Sequence, residues 1–326
     1  MDVGRRGRDD CSKKWAWLSD YDCTLYLRNR YGTGGHVDDW PNWIRRGYDL
    51  TFNRGEIYAL AGSNGGFIMM ENPNYLSIRG LSKIFTSASG QSHTAVSEVD
   101  LSIGEHEFVS IIGRSGCGKS TILRMVAGLE SYEHGLIELD GRQIHGPSAE
   151  RGLVFQEYAL FPWRTVSKNI GFGLEIRNLP KAEIDSTVSR FVKLIGLNGF
   201  ENSLPSELSG GMRQRVAIAT VLANNPKMLL MDEPFGALDA QTRLSMQVEL
   251  SRIWMETQKS VLFITHSVEE AIYLSQRVIV MKAGPGTIQE IIDIDLPFPR
   301  DIASQGFNDM RTRLLNMLLD PVTGAH

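Results

Sequence analysis

Three stretches of this chain carry residue types whose spacing could do chemistry on a phosphorylated ligand. The first is Gly113-Arg114-Ser115-Gly116-Cys117-Gly118-Lys119-Ser120-Thr121. Its glycines let the backbone approach phosphates closely and aim several N–H groups at them. A helix beginning near Lys119 adds the positive end of its dipole. Lys119 then reaches the β- and γ-phosphates, and the Ser120 hydroxyl is placed to ligate Mg²⁺. Arg114, Ser115 and Cys117 are the freer positions of the loop. The second stretch is Met228-Leu-Leu-Met-Asp232-Glu233-Pro234, an apolar run ending in two carboxylates. Asp232 at the end of a buried strand can hold the metal, commonly through water. Glu233 points to the other side of the strand axis and can polarise a water in line with the γ-phosphate. The third is Leu208-Ser209-Gly210-Gly211-Met212-Arg213-Gln214-Arg215. Ser209 and two glycines ahead of a helix leave its first N–H groups ready for an anion. Ser209 as a plain N-cap is the other role open to it.

Two single residues belong with these stretches. His266 ends an apolar run at 261–265, and the next helix starts at once, so its imidazole projects at the edge of the sheet that carries the carboxylates. Gln156 ends another short strand and opens Glu157-Tyr-Ala-Leu-Phe-Pro-Trp163. That aromatic, Pro-containing run is either a docking surface for a partner or a loop packing its own aromatics.

The elements that must position these residues follow from hydrophobic period. Residues 76–81 and 99–103 read as short strands joined through a Gly/Ser-rich turn near 87–90. Residues 108–112 form a buried strand feeding the phosphate loop, and 120–127 the helix after it. A strand is expected at 151–155 and a mostly helical stretch at 169–195, interrupted by Pro180. Residues 212–223 form a helix. Strands at 228–231 and 261–265 are separated by a helix at 240–256. Ser267-Val-Glu-Glu270 reads as a capping box. Alternating strands and helices imply a mostly parallel sheet covered on both faces. The helix-rich stretch between loop and carboxylates implies a separate lobe. No internal repeat is visible, so the chain holds one such unit.

Bulk properties exclude several classes. The chain has 326 residues, 42% hydrophobic and 22% charged, which is ordinary for a globular protein. A formal net charge of -4 gives no basic excess for nucleic acid. Three cysteines, Cys11, Cys23 and Cys117, are too few for a disulfide framework and fit a reducing compartment. No apolar run approaches the ~18 residues of a membrane span. If the protein works at a membrane, another chain must supply the span.

In their order along the chain these motifs resemble those of the ATP-binding cassette (ABC) ATPases, and the resemblance covers residues 75–319. It implies an α/β P-loop NTPase: a cassette with a RecA-like parallel-sheet core, an N-terminal antiparallel β region and a helical lobe at about 157–223. It implies ATP and Mg²⁺ as cofactors. Glu233, His266, Gln156 and Lys119 then carry hydrolysis, with His266 as the switch histidine on the γ-phosphate. Gly113, Arg114, Ser115, Gly116, Cys117, Gly118, Lys119, Ser120 and Thr121 cradle the nucleotide. Ser120, Gln156 and Asp232 serve the metal, and Gln156 also links the nucleotide to a transport partner. Ser209, Gly210 and Gly211 face the γ-phosphate bound by a second copy in a head-to-tail homodimer. Ala237-Leu238-Asp239 resembles the interface loop of that dimer. Phe85, in Ser82-Lys-Ile-Phe85, matches the aromatic residue that stacks on adenine, with a core phenylalanine as its competing role.

Glu157-Tyr-Ala-Leu-Phe-Pro-Trp163, Leu208 to Arg215, Pro234-Phe-Gly-Ala-Leu-Asp239 and Leu296-Pro-Phe-Pro-Arg300 look like the nitrate/sulfonate/taurine importer group. That branch implies an ATPase subunit, peripheral on the cytoplasmic face of the inner membrane. It would energise uptake of a small anionic or zwitterionic solute through a separate integral-membrane permease. An extracytoplasmic binding protein would choose the solute, and no nucleic acid would be involved. The alternative is a soluble ABC ATPase acting on nucleic acid or ribosomes, though such proteins usually carry coiled-coil insertions or two cassettes. One departure from the family is Thr220, where an arginine is usual in the signature helix.

Residues 1–70 read differently. Four of the six tryptophans fall there, at Trp15, Trp17, Trp40 and Trp43, with no sustained period. An accessory segment, a disordered tail and translated upstream sequence are the possible readings. The last two are favoured because so little apolar surface offsets little ordering entropy. On the reading of translated upstream sequence, either Met69 or Met70 could be the native start. Residues 320–326 read as a short tail.

Overall fold

The computed structural model describes residues 74–87 and 89–319, and the backbone of two strands further upstream. The chain divides into two units, Met1–Met70 and Glu71–His326. In the first, β1 (Asp49–Asn53) and β2 (Glu56–Leu60) pair as an antiparallel hairpin. The rest of the expectation for residues 1–70, including a start at Met69 or Met70, lies outside the described residues, as does the tail at 320–326.

The second unit is built on two sheets. The smaller is fully antiparallel, in the order β4-β3-β6-β7, from β3 (Leu76–Thr86), β4 (Ser92–Ile103), β6 (His134–Leu139) and β7 (Arg142–Gln143). Both long strands exceed the expected 76–81 and 99–103, because pairing carries the hairpin past its apolar stretch into exposed residues. The larger sheet has the order β12-β11-β5-β10-β9-β8. Its members are β5 (Phe108–Gly113), β8 (Arg151–Val154), β9 (Met228–Asp232), β10 (Ser260–Ile264), β11 (Arg277–Lys282) and β12 (Thr287–Asp293). All its pairs are parallel except β11 with β12. Every residue of β5 and β10 is buried, as a sheet covered on both faces requires. The sequence pattern does not single out β6, β7, β11 or β12. In β11 burial on both faces erases the two-residue alternation.

Helix α1 (Lys119–Ala127) follows β5 and ends at Gly128 in the left-handed region, φ 77°. A Cβ on Gly128 would meet the Gly146 carbonyl at 2.3 Å, so chain reversal and close approach both demand glycine. The stretch expected to be helical over 169–195 is two helices, α2 (Val166–Ile176) and α3 (Lys181–Leu194). Thr165 starts α2 early by accepting from the Lys168 amide, and Pro180 takes the N-cap position of α3 without a side-chain cap. Helix α4 (Gly210–Leu222) begins at the paired glycines, two residues before the expected start. Then come α5 (Ala240–Thr257), α6 (Val268–Leu274) and α7 (Gln305–Leu319), the last unsignalled in the sequence. Helices α2, α3 and α4 share one core with β9 and β10, through Ile170, Phe191, Ile218, Leu229 and Phe263. Among the described residues no helix is long and apolar enough to cross a membrane.

Candidate active site

The phosphate loop joins β5 to α1. Gly116 and Gly118 have φ +77° and +89°, a region that L side chains rarely adopt. A Cβ on Gly118 would lie 2.8 Å from both the Ala95 carbonyl oxygen and Val96 Cγ2, so β4 presses directly on the loop. A Cβ on Gly116 would meet nothing within 4 Å. Gly118 is the N-cap of α1, and no side chain among the described residues caps that helix. Its first N–H groups are therefore open to an anion. Lys119 is 6% exposed and donates to the carbonyl oxygens of Gly113 at 2.9 Å and Arg114 at 3.2 Å. The lysine thus lies along the loop it would share with a phosphate.

Cys117 departs from the sequence reading. It is not a free position but wholly buried, its Sγ 3.8 Å from Lys119 Nζ and within the core under the loop. Burial pushes its thiol up from the ordinary value. Only its backbone can take part in cradling an anion, whereas Arg114, Ser115 and Gly116 are exposed.

Strand β9 delivers the carboxylates. Ser120 Oγ donates to Asp232 Oδ1 at 2.8 Å, joining the loop to a residue 112 positions away. Burial, reinforced by the neighbouring Glu233 charge, pushes the Asp232 carboxyl upward. A hydroxyl and a carboxylate in contact at the foot of an anion site form a hard-oxygen donor pair that suits Mg²⁺. Glu233 holds φ +45°, and its amide donates to the Ile264 carbonyl of β10 at 2.9 Å. His266 Nδ1 lies 3.1 Å from Glu233 Oε2. Gln156 reaches the same turn, with Nε2 3.2 Å from where a Cβ on Gly236 would stand. The structure therefore gathers Lys119, Ser120, Asp232, Glu233, His266 and Gln156 around one edge of the parallel sheet.

The expected capping box at Ser267 is only half made. Ser267 Oγ accepts from the Glu270 amide at 3.2 Å, but Glu270 does not return the bond. Its carboxylate accepts from Thr265 Oγ1 and lies 3.8 Å from Arg243 Nε, while Thr265 Oγ1 takes the Ser267 amide. Glu270, only 4% exposed, turns inward because a nearer hydroxyl serves the cap.

Beyond Gln156, the aromatic run is ordered by a residue the sequence reading overlooked. Asn169 is 1% exposed. Its Oδ1 accepts from the Phe161 amide at 2.9 Å, and its Nδ2 donates to the carbonyls of Phe161, Arg164 and Thr165. Phe161 stacks edge-on against Phe172 at 4.5 Å between centroids, and Trp163 stays 74% exposed. An amide set in a helix just after a Pro-Trp pair was the available signal.

Ser209 caps α4, accepting from the Met212 amide at 3.3 Å. Gly210 and Gly211 permit close packing. A Cβ on Gly210 would come within 3.2 Å of Leu238 and the Tyr158 hydroxyl, and one on Gly211 within 2.8 Å of Thr242. Ser209 and Gly211 line a surface cleft of about 370 Å³ with Arg215, Thr242 and Glu249. None of the lining residues belongs to the phosphate loop. Asp239 caps α5 by accepting from the Thr242 amide at 3.0 Å. Thr220 turns its hydroxyl back to the Val216 carbonyl at 2.8 Å. Phe85 is 41% exposed on β3, paired with His93, so it is not a core residue.

A family model described as ABC transporter matches residues 96–236. An uncharacterized ABC transporter ATP-binding protein of Methanocaldococcus jannaschii is 51% identical over 247 residues, 76% of this chain and 92% of that protein. The nitrate import ATP-binding protein NrtD of Synechocystis is 49% identical over 223 residues, 68% of this chain and 84% of that one. The aliphatic sulfonates import ATP-binding protein SsuB of Bacillus anthracis is 44% identical over 240 residues, 74% of this chain and 94% of that one. Among solved structures, the dimeric post-hydrolysis cassette MJ0796 bound to ADP and Pi aligns with TM-score 0.59 and 30% identity, covering 67% of this chain and 98% of that one. The cbiO1 protein of Clostridium perfringens, part of the cbiONQ ABC transporter complex, aligns with TM-score 0.63 and 25% identity, covering 76% of this chain and 98% of that one.

Proposed function

This chain belongs to the ATP-binding proteins of the ABC transporters, and from that premise we propose that it hydrolyses ATP to drive import of a small oxyanion or zwitterion of the nitrate, sulfonate or taurine kind. The observation that carries the reading is the meeting of an uncapped helix N-terminus, the Ser120–Asp232 pair at 2.8 Å and the Glu233–His266 pair at 3.1 Å on one sheet edge. The names of the nitrate and sulfonate import relatives support the solute class.

The amides of the loop and of α1 bind the phosphates, and Lys119 exchanges its carbonyl partners for the terminal ones. Ser120 and Asp232, with Gln156, would hold Mg²⁺, which would supply charge neutralisation for the phosphates. Glu233 takes a proton from the attacking water, and His266 steadies both that carboxylate and the γ-phosphate. Phe85 offers a stacking surface to adenine. Ser209 and the α4 amides close on the γ-phosphate of a second copy, so ATP favours the closed dimer and hydrolysis reopens it. The exposed Trp163 and the loop held by Asn169 meet an integral-membrane permease on the cytoplasmic face of the inner membrane. An extracytoplasmic binding protein hands that permease its solute.

The test is a pull-down of tagged Glu233→Gln protein from solubilised membranes of the native host, read by mass spectrometry. A co-purifying polytopic permease, with a binding protein that takes up nitrate, sulfonates or taurine, is the expected result. Recovery solely with ribosomes or nucleic acid overturns the importer reading and leaves the ATPase chemistry standing.

A further inference from the structure

Lys83 lies two residues before Phe85 on β3 and is buried to 5% exposure. Its ammonium is held by Glu130 Oε1 at 3.0 Å, Glu133 Oε1 at 3.3 Å and Ser131 Oγ at 3.3 Å. These partners belong to the segment that leaves the C-terminal end of α1. The same segment grips β3 by its backbone: the Ile84 amide donates to Glu133 Oε2 at 2.7 Å, and the Glu133 amide to the Ser82 carbonyl at 3.1 Å. From this anchorage Lys83 Nζ stands 4.9 Å from the centroid of the Phe85 ring, over its face.

The Phe85 ring is thus engaged by a fixed cation, yet 41% of the residue remains exposed. Lys83 also pairs across the hairpin with Val96, whose Cγ2 would stand 2.8 Å from a Cβ on Gly118. The aromatic ring therefore sits just beyond the contact between the hairpin and the phosphate loop. A cation on one face of an aromatic ring draws π density toward itself. The opposite face becomes a better partner for an electron-rich purine, and the ring is held from turning. Because Glu130 and Glu133 follow α1, the ring is tied to the helix whose N-terminus takes the phosphates.

We infer that Lys83 is a positioning residue for nucleotide-base recognition: clamped by Glu130 and Glu133, it holds and polarises Phe85 as the platform on which adenine stacks. The inference rests on the stacking role given to Phe85 above.

The experiment measures kcat and KM for ATP, and inhibition by magnesium tripolyphosphate, which has the phosphate chain but no base. The full-length chain is compared with Lys83→Met, Lys83→Arg, Phe85→Ala and the Lys83→Met/Phe85→Ala double variant. Lys83→Met is expected to raise KM about three- to tenfold, the scale of one cation–π contact, while kcat falls less than twofold and tripolyphosphate inhibition holds. Lys83→Arg, which keeps the cation, should restore KM to within about twofold of the parent. On the Phe85→Ala background, Lys83→Met should add nothing. If Lys83→Met weakens tripolyphosphate equally, or acts undiminished without the Phe85 ring, Lys83 only braces the fold and the inference fails. If Phe85→Ala leaves KM unchanged, the platform itself is misassigned and the inference falls with it. If Phe85→Ala raises KM but Lys83→Met does not, the platform stands and only the clamp is wrong.

Discussion

His266 Nδ1 rests 3.1 Å from Glu233 Oε2, and the two side chains are held there by neighbouring strands of one parallel sheet. Glu233 keeps a left-handed backbone, φ +45°, a conformation uncommon for a residue with a side chain. Its amide bonds to β10, the strand that leads into His266. The backbones that carry the pair are therefore tied to adjacent strands. A histidine in hydrogen-bond contact can orient a carboxylate, which is the arrangement the proposed base Glu233 requires.

Glu233→Gln keeps the shape and removes the carboxylate proposed to accept the proton. Single-turnover ATP hydrolysis should fall about 100- to 10,000-fold, while binding of a fluorescent ATP analogue stays within a few fold. Near-normal turnover would show that another group takes the proton. His266→Ala should lower kcat about 100-fold and move KM less, since it spares the phosphate loop.

Ser209→Arg places a long cation at the exposed start of α4. It removes the cap on the Met212 amide, at a cost of about 1 kcal/mol. Nucleotide binding by the monomer should survive, because Ser209 lies in a cleft formed without phosphate-loop residues. The ATP-dependent dimer trapped by Glu233→Gln should vanish in the double variant on size-exclusion chromatography. A persisting dimer would remove Ser209 from the subunit interface.

Gly118→Ala tests the seat of the phosphate loop. At φ +89°, with the Ala95 carbonyl 2.8 Å from the new methyl group, the loop must shift or strain. The cost should exceed about 1 kcal/mol in urea unfolding, with ATP affinity falling alongside. Gly116→Ala has open space at Cβ and should lose affinity through backbone strain alone. An unperturbed Gly118→Ala protein would contradict the close approach of β4.

Asp239 gives a pH-dependent prediction. The Thr242 amide holds its carboxyl below the ordinary value in the folded chain. A depressed folded pKa means that the unfolded chain binds the proton more readily, so the stabilisation exists above the unfolded pKa of about 3.9 and is lost as pH falls through the folded value. Asp239→Ala should therefore be less stable than the parent at neutral pH in urea titrations. The gap should close on acidification through the carboxylate range. A gap independent of pH would mean that charge plays no part in the cap.

The sequence by itself determined the local devices. Glycine placement at Gly113, Gly116 and Gly118 beside the Lys119-Ser120 pair marks a loop of close backbone approaches, with no room for a side chain at Gly113 or Gly118. Such features depend on φ, ψ and residues close in sequence, so one dimension is enough to read them. The parallel sheet was legible for β5, β9 and β10, each a short apolar run that leads into a helix or a turn bearing polar residues. It was not legible for β11, where burial on both faces leaves no alternation, nor for α7. Only the tertiary structure decided which of several possible partners each side chain takes. It put Ser120 on Asp232, swung Glu270 from Ser267 to Thr265, sank Cys117 beneath its loop, folded the Pro-Trp run around Asn169 and set Lys83 over Phe85. Each of these choices is settled by burial. A polar or aromatic group removed from water turns to the nearest partner that packing supplies, and that partner can lie anywhere along the chain.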